Sequence, residues 1–268
     1  MAILERLLIV GCGNMGGAML DGWLAAGNDP GRFIVLDPAL ETVPQGVTLL
    51  REASEEMGHD AVLLGFKPQQ LGQLASGLQS IVGEGTPLFS LLAGIEVEQL
   101  QQSFPNAAAH YRVMPNLAAR IGKSPVILAG EGLDSDALRI AVKFFGQLGS
   151  AHFLDDESNF DLVTALAGSG PGFVYRFIDA LAGAARDLGL PDEMAQHLAL
   201  EMVEGAACLA AEGEVSPAVL ADRVASPGGM TREGLDILDR DSALKQLLIE
   251  TLRATRDRGT DLAQAAKG

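Results

Sequence analysis

Short apolar runs alternate with helix-like segments through roughly the first 156 residues of the chain. The runs cover residues 7–10, 33–37, 61–66, 86–92, 110–114, 125–129 and 151–154. Between them, apolar periodicity predicts helices over residues 14–26, 51–58, 97–102 and 136–148. Strands that alternate with helices predict a mostly parallel sheet, which binds ligands at the carboxyl ends of its strands. The loops expected to line one crevice follow Val10, Leu36, Phe66, Leu92 and Met114.

The pattern changes beyond about Asp156, where no further strand is predicted. Helices are predicted over residues 171–187, 191–211, 217–224, 231–238 and 242–265, with Gly213 ending the second of them. These helices carry Ala and Leu on more than one face, which is more apolar surface than a single chain could cover. We therefore expect the helices to pack against a second copy of the chain.

A glycine-rich turn joins the first strand to the first helix. The stretch LLIVGCGNMGGAML runs from four apolar residues into Gly11, Gly13 and Gly16 and then into helix-forming residues. Gly11 would allow the tight turn, Gly13 would let a pyrophosphate approach the backbone, and Gly16 would let the helix lie close to its strand. The alternative is an ordinary tight turn, but the strand before it and the helix after it favour a dinucleotide site.

Asp37 ends the second apolar run, 21 residues after Gly16. This is close to the roughly 20-residue spacing at which an acidic side chain meets the adenosine ribose. The alternative is that Asp37 only begins a turn with Pro38. The predicted fold class is thus α/β, a Rossmann-like dinucleotide-binding domain at residues 1–156 followed by an all-helical dimerisation domain at 157–268.

Composition excludes several classes of function. The formal net charge of −16 argues against nucleic acid as a partner. Two cysteines, Cys12 and Cys208, provide neither a disulfide framework nor metal-ligand spacing, and none of the four histidines has a partner at ligand spacing, so no metal is expected. The N-terminal stretch enters the first strand at once, and no apolar run reaches the roughly 18 residues of a membrane helix. We expect a cytoplasmic protein that needs neither signal peptide nor membrane.

Two glycine-proline clusters precede helices in the helical half, at residues 168–171 and 226–231. In the second cluster, successive backbone N–H groups at a helix N-terminus could form a pocket for a carboxylate. Ordinary helix capping is the alternative.

Five segments resemble the pyrroline-5-carboxylate reductase family, and the resemblance runs along nearly the whole chain. They are GCGNMGGA at residues 11–18, KPQ at 67–69, RVMPN at 112–116, AGSGPGFVYRFIDAL at 167–181 and SPGGMTREGL at 226–235. The SPGG-x-T segment is the family's most specific signature. The resemblance implies an N-terminal nicotinamide-nucleotide domain, a helical domain that interlocks with its partner and binds substrate, and an active site assembled from both.

Residue roles follow from the matching positions. In the resembling segments, Gly229, Met230 and Thr231 would donate backbone N–H groups to a substrate carboxylate, and the Thr231 hydroxyl, the candidate catalytic group, would face the ring nitrogen. Gly228 belongs to the same turn, and Glu214 matches a family acid near the substrate, although it could be a solvated loop carboxylate. With Asp37, the candidate cofactor-binding residues are Gly11, Cys12, Gly13, Asn14, Met15, Gly16, Gly65, Phe66, Lys67, Pro68, Leu91, Leu92 and Ala93.

The implied reaction transfers hydride from NADH or NADPH to the imine carbon of 1-pyrroline-5-carboxylate, giving L-proline. Asp37 favours NADH, because its charge would repel a 2′-phosphate and no arginine follows in the next residues, Pro38 to Glu41. Three departures from the family pattern are Met230, where Thr or Ala is common, Leu117-Ala118, where Thr-Pro is usual, and Asp37, which is not the commonest choice at its position.

Two other functions stay open at this point. The first is a related imine or 3-hydroxy acid oxidoreductase, although the latter would be expected to carry a catalytic lysine after its glycine turn and residues 170–190 contain none. The second is a non-catalytic nucleotide-sensing homologue that keeps the fold without turnover.

Overall fold

The computed structural model describes residues 4–53 and 58–265. The described chain divides into two compact units. The first comprises Met1–Gly168 together with Thr255–Gly268, and the second is Ser169–Ala254. Within the described residues, no helix is both long and apolar enough to cross a membrane.

The first unit is built on one mostly parallel sheet. Its strands are β1 (Leu7–Val10), β2 (Phe33–Leu36), β3 (Thr48–Leu50), β4 (Ala61–Leu64), β5 (Pro87–Ser90), β6 (Ala109–Met114), β7 (Ser124–Glu131) and β8 (Gly149–Phe153). The spatial order is β3-β2-β1-β4-β5-β6-β7-β8, and only the β6–β7 pair is antiparallel within this sheet. The predicted α/β fold class is confirmed.

The helices of the first unit include α1 (Asn14–Ala25), α2 (Leu71–Leu78), α3 (Val97–Ser103), α4 (Ser135–Gly146) and α5 (Phe160–Val163), the last followed by a π-helical turn at Thr164–Gly168. β1, β2, β4 and β5 are buried along their whole length, which explains why their sequences read as continuous apolar runs. Apolar clusters cover both faces of the sheet, and Trp23 of α1 stacks on Phe144 of α4 with 4.8 Å between ring centroids.

The elements of this unit that the sequence pattern does not predict include β3, α2 and the segment of α5 with its π turn. β3 has three residues, one exposed and two half-buried, so it leaves neither an apolar run nor a clear alternation. The helix predicted over residues 51–58 is not seen at residues 51–53 or at Gly58, and residues 54–57 lie outside the described residues.

The second unit contains α6 (Gly170–Asp187), α7 (Asp192–Glu212), α8 (Pro217–Val224), α9 (Met230–Asp239) and the first part of α10 (Ala243–Ala265). Each corresponds to a predicted helix. Gly213 ends α7 as predicted, but with an extended backbone (φ −78°, ψ 145°) and not the left-handed conformation of many C-terminal glycines.

Few large apolar side chains are buried within the second unit. On α7, Ala195 and Ala199 are buried, whereas Met194, Leu198, Met202 and Leu209 are 49–63% exposed. The four exposed residues follow one another by four, four and seven positions, which is about one or two helical turns. They therefore form a stripe along one side of the helix, called here the α7 stripe. An apolar stripe of this kind is typical of a surface that a second protein chain covers.

Candidate functional site

The glycine turn after β1 lies against the end of β4. Gly11 has φ +82°, which favours glycine, and a Cβ atom there would lie 2.7 Å from the Phe66 nitrogen. A Cβ atom on Gly65 would overlap the Gly11 carbonyl oxygen. Hydrogen bonds from Gly65 N to Val10 O (2.8 Å) and from Gly11 N to Leu36 O (2.9 Å) extend the ladder into the turn. The turn therefore lies in the middle of the carboxyl edge of the sheet.

The N-terminus of α1 is open to an anion. Its N-cap residue is Gly13, which provides no side-chain cap, and the first turn holds no acidic residue. A Cβ atom on Gly13 or Gly17 would meet nothing within 4 Å, so space remains above both. Free N–H groups and the helix dipole at such an end bind phosphate groups. These residues fit the pyrophosphate of a dinucleotide.

Asp37 lies directly after β2 and contacts this turn. Its Oδ2 atom accepts a hydrogen bond from the Cys12 N–H (2.9 Å), and its Oδ1 atom accepts one from the Ala39 N–H (2.9 Å). The carboxylate thus begins a turn with Pro38 and also contacts the glycine turn. Turn formation by Asp37 is therefore compatible with a role beside the adenosine ribose. Its side chain is held in place next to the candidate phosphate site.

The other candidate cofactor residues follow β4 and β5 at the same edge. Leu91 N donates to Leu64 O (2.9 Å), which keeps the ends of the two strands level. Lys67 and Ala93 are exposed, whereas Leu92 is buried and belongs to the core. The structure therefore brings the ends of β1, β2, β4 and β5 together along one edge.

Cys12 is the one titratable side chain within the glycine turn. Burial, with smaller contributions from the charges of Asp37 and Asp21, raises the pKa of its thiol to about 11. The thiol is therefore protonated at neutral pH and is a poor nucleophile.

Arg112 and Asn116 connect the RVMPN segment to the chain that follows β8. Arg112 is 5% exposed; its Nη1 donates to Glu157 Oε1 (2.9 Å), and its guanidinium lies 3.8 Å from the centre of the Phe160 ring. Asn116 donates from Nδ2 to the Ala167 carbonyl (2.9 Å), inside the π turn. The two polar side chains Arg112 and Asn116 thus position α5 and the π turn that follows it.

The second glycine cluster lies in the second unit, between α8 and α9. Ser226 to Gly229 form a β-turn in which Gly229 N donates to Ser226 O (2.9 Å) and Gly228 has φ +72°. Proline at the second position and a glycine with positive φ at the third are typical of a type II turn. The turn delivers the chain to the N-terminus of α9, which has no side-chain cap.

Most of the candidate substrate residues, Gly228 to Thr231, lie at that N-terminus, and Glu214 lies in a different loop. Met230 is 93% exposed, Thr231 is exposed, and Glu214 lies exposed between α7 and α8. Arg232 donates from Nη2 to Asp222 Oδ1 (2.8 Å), which ties α9 to α8 across the turn. That ion pair has no sequence signal, because the two residues are ten positions apart on different helices.

Arg51 is a second residue that the sequence analysis misses. No arginine follows Asp37 in residues 38–41, as the sequence analysis states, but β3 places Arg51 beside the end of β2. Its Nη1 donates to the carbonyl oxygens of Pro38 (3.1 Å) and Asp37 (3.4 Å). The contact depends on β3, which the sequence pattern does not predict.

The fold and this edge define a class of protein: an NAD(P)-dependent oxidoreductase with a helical second unit. Two family models match the chain. Residues 6–94 match the model described as NADP oxidoreductase coenzyme F420-dependent, and residues 157–262 match the model for pyrroline-5-carboxylate reductase dimerisation.

Similar proteins are found along the whole chain. Pyrroline-5-carboxylate reductase 2 of Bacillus subtilis (strain 168) is 31% identical over 276 residues, covering 99% of this chain and 98% of that protein. The structure of a pyrroline-5-carboxylate reductase from Coxiella burnetii is 28% identical with a TM-score of 0.89, covering 97% of this chain and 99% of that one. The Plasmodium falciparum pyrroline carboxylate reductase with NADP bound shares the fold (TM-score 0.82, 22% identity; 98% and 100% covered). The chain belongs to the pyrroline-5-carboxylate reductase family.

Family membership confirms the resemblance seen in the sequence. It also decides between the oxidoreductase classes left open there, against a 3-hydroxy acid dehydrogenase. The dimerisation model covers residues 157–262, which include the α7 stripe, and this supports self-association of the chain.

Proposed function

We propose that this chain is a pyrroline-5-carboxylate reductase that reduces the C=N bond of 1-pyrroline-5-carboxylate to give L-proline. The observation that carries the proposal is the pair of uncapped helix N-termini in one chain of this family. One follows the glycine turn of β1 and the other follows the SPGG turn. Each suits an anion, the first a pyrophosphate and the second a carboxylate.

NADH or NADPH would lie along the carboxyl edge of the sheet. The N–H groups of Asn14, Met15 and Gly16 would hold the pyrophosphate, and residues 65–68 and 91–93 would line the nicotinamide half. When bound, the reduced nicotinamide supplies the hydride.

The substrate would lie at the N-terminus of α9. Backbone N–H groups of Gly229, Met230 and Thr231 would bind its carboxylate, and the Thr231 hydroxyl would hydrogen-bond the ring nitrogen and orient the imine carbon. A protonated cyclic imine is already electrophilic, so orientation is the main requirement and no protein nucleophile is needed. Glu214 would act near the substrate as an exposed acid.

The proposed preference is for NADH. Two backbone N–H groups fix the Asp37 carboxylate beside the glycine turn, where it can accept hydrogen bonds from ribose hydroxyls. A 2′-phosphate there would meet a like charge. At 4 Å and an effective dielectric constant of 20, the repulsion between unit charges is about 4 kcal/mol, an upper guide because solvent and rotamer changes relieve it.

The proposed assembly is a homodimer, or a larger ring of dimers, held through the helical region after residue 156. The proposed domain division places dinucleotide binding in residues 1–156 and substrate binding with dimerisation in 157–268. The proposed location is the cytoplasm, since Cys12 and Cys208 are free thiols.

The deciding experiment measures L-proline formation by the purified chain from 1-pyrroline-5-carboxylate with NADH and, separately, with NADPH. Stoichiometric proline formation coupled to cofactor oxidation is expected. Cofactor binding without proline formation would contradict the proposal and favour the non-catalytic nucleotide-sensing homologue. Oxidation of cofactor with other imines or keto acids, but not with this substrate, would assign a related oxidoreductase.

A further inference from the structure

Arg51 and Asp37 occupy equivalent positions at the ends of neighbouring parallel strands. β2 and β3 pair with Leu36 opposite Leu50, so Asp37 and Arg51 are the first residues beyond the two strands. Asp37 N donates to Leu50 O (3.1 Å), which keeps the two ends in register. An arginine therefore follows the strand next to β2, beside the residue position that faces the adenosine ribose in this fold.

Main-chain carbonyl groups hold the Arg51 guanidinium over the segment 37–41. Besides the Asp37 and Pro38 oxygens, it reaches the Glu41 oxygen from Nη2 (3.3 Å). Carbonyl oxygens orient the group without neutralising its charge. These three contacts use three of the five N–H donors of an arginine. The side chain is exposed, so the face away from the segment meets solvent.

We propose that Arg51 binds the 2′-phosphate of NADPH and so determines how well the chain accepts this second cofactor. The proposal rests on the dinucleotide site of the proposed function. A planar guanidinium pairs with phosphate oxygens in a bidentate manner, and an arginine near the end of β2 is the usual device for a 2′-phosphate. Here the arginine comes from β3, while Asp37 keeps the position after β2. Asp37 would therefore weaken the binding of the 2′-phosphate, and Arg51 would strengthen it.

NADH carries no 2′-phosphate, and its ribose hydroxyl groups would donate hydrogen bonds to Asp37. Arg51 would then contribute little to NADH binding beyond holding segment 37–41. The proposal therefore predicts that loss of Arg51 weakens only nucleotides that carry a 2′-phosphate. If Arg51 only held segment 37–41 in place, its loss would weaken both kinds of nucleotide equally.

The test is binding by isothermal titration calorimetry of two nucleotides that differ only in the 2′-phosphate: 5′-AMP and adenosine 2′,5′-bisphosphate. Arg51→Gln should weaken the bisphosphate about tenfold and change 5′-AMP by less than about twofold, as expected for loss of a charge-assisted hydrogen bond. Arg51→Lys should restore part of the loss. Arg139→Gln, which removes an exposed arginine from α4, is the matched control and should leave both affinities unchanged.

Equal weakening of both nucleotides by Arg51→Gln would show that Arg51 only braces the segment, and an unchanged bisphosphate affinity would show that it makes no contact. Either result overturns the proposal while proline formation with NADH stays intact. If the wild-type chain binds neither nucleotide, the dinucleotide site itself is wrong and the proposal fails with it.

Discussion

The main-chain N–H of Cys12 donates to the Asp37 carboxylate across 2.9 Å, joining the glycine turn after β1 to the end of β2. The same carboxylate accepts the Ala39 N–H through its other oxygen. A side chain held by two backbone groups is pre-organised and loses little freedom when a ligand binds. Asp37 should therefore influence cofactor choice through both its charge and its fixed position.

Replacing Asp37 should shift the chain toward NADPH. For both Asp37→Ser and Asp37→Asn, we expect the ratio of kcat/KM for NADPH to that for NADH to rise about tenfold, which corresponds to roughly 1.4 kcal/mol and is part of the repulsion that a carboxylate imposes. Asn keeps the size of the side chain and can still accept a hydrogen bond from the Cys12 N–H. The Asn variant therefore separates the effect of the charge from the effect of that hydrogen bond. A wild-type chain that already prefers NADPH would contradict the NADH assignment.

Removing the Thr231 hydroxyl should slow turnover without affecting the dinucleotide. Thr231→Ala keeps the backbone N–H and loses the hydroxyl that would hydrogen-bond the ring nitrogen, so kcat should fall about 10- to 100-fold while the Kd of NADH stays nearly unchanged. Thr231→Ser should recover most of the rate because it restores the hydroxyl. Steady-state kinetics and cofactor titration test this, and full activity in the Ala variant would remove Thr231 from the proposed mechanism.

The Cys12 thiol should make the folded chain less stable in alkaline solution. Its folded-state pKa is about 11 against 9.0 ordinarily, so the folded state keeps a proton that the unfolded chain releases. The stabilisation is complete below pH 9 and is lost as the pH rises toward 11, with a maximum of about 2.7 kcal/mol for two pKa units. Thermal unfolding of wild type and Cys12→Ala, at one protein concentration, should show a steeper decline for wild type. Parallel pH profiles would contradict this expectation.

The α7 stripe should be part of a contact between two copies of the chain. Light scattering should give at least twice the 28.0 kDa of one chain. Replacing Leu198 and Leu209 together by Glu places two charges, three helical turns apart, on that surface and should shift the population toward monomer. Ile140→Glu, on the exposed side of α4, is the control and should leave the mass unchanged. A wild-type chain that remains monomeric at assay concentration would show that the stripe has another use.

Sequence patterns predict well where a residue's partners are close along the chain or belong to a regular repeat. The buried strands and the glycine turn of Gly11 are such cases, because apolar runs and turn residues carry their own signal. Arg51 is the opposite case: its partners lie 10 to 14 residues away, across a three-residue strand with no distinct periodicity. Arg112 likewise meets Glu157 across 45 residues, and its charge alone does not indicate burial.

The C-terminal end of α10 has a consequence for the order in which the protein is made. The chain leaves the first unit at Gly168 and returns to it at Thr255, where Thr260 Oγ1 donates to Asp161 Oδ2 (3.2 Å) and Ala263 is buried. The segment that completes the first unit is thus translated after the whole second unit. A nascent chain on the ribosome would carry the whole sheet and still lack this piece, so the first unit would be completed only after the second unit had been synthesised.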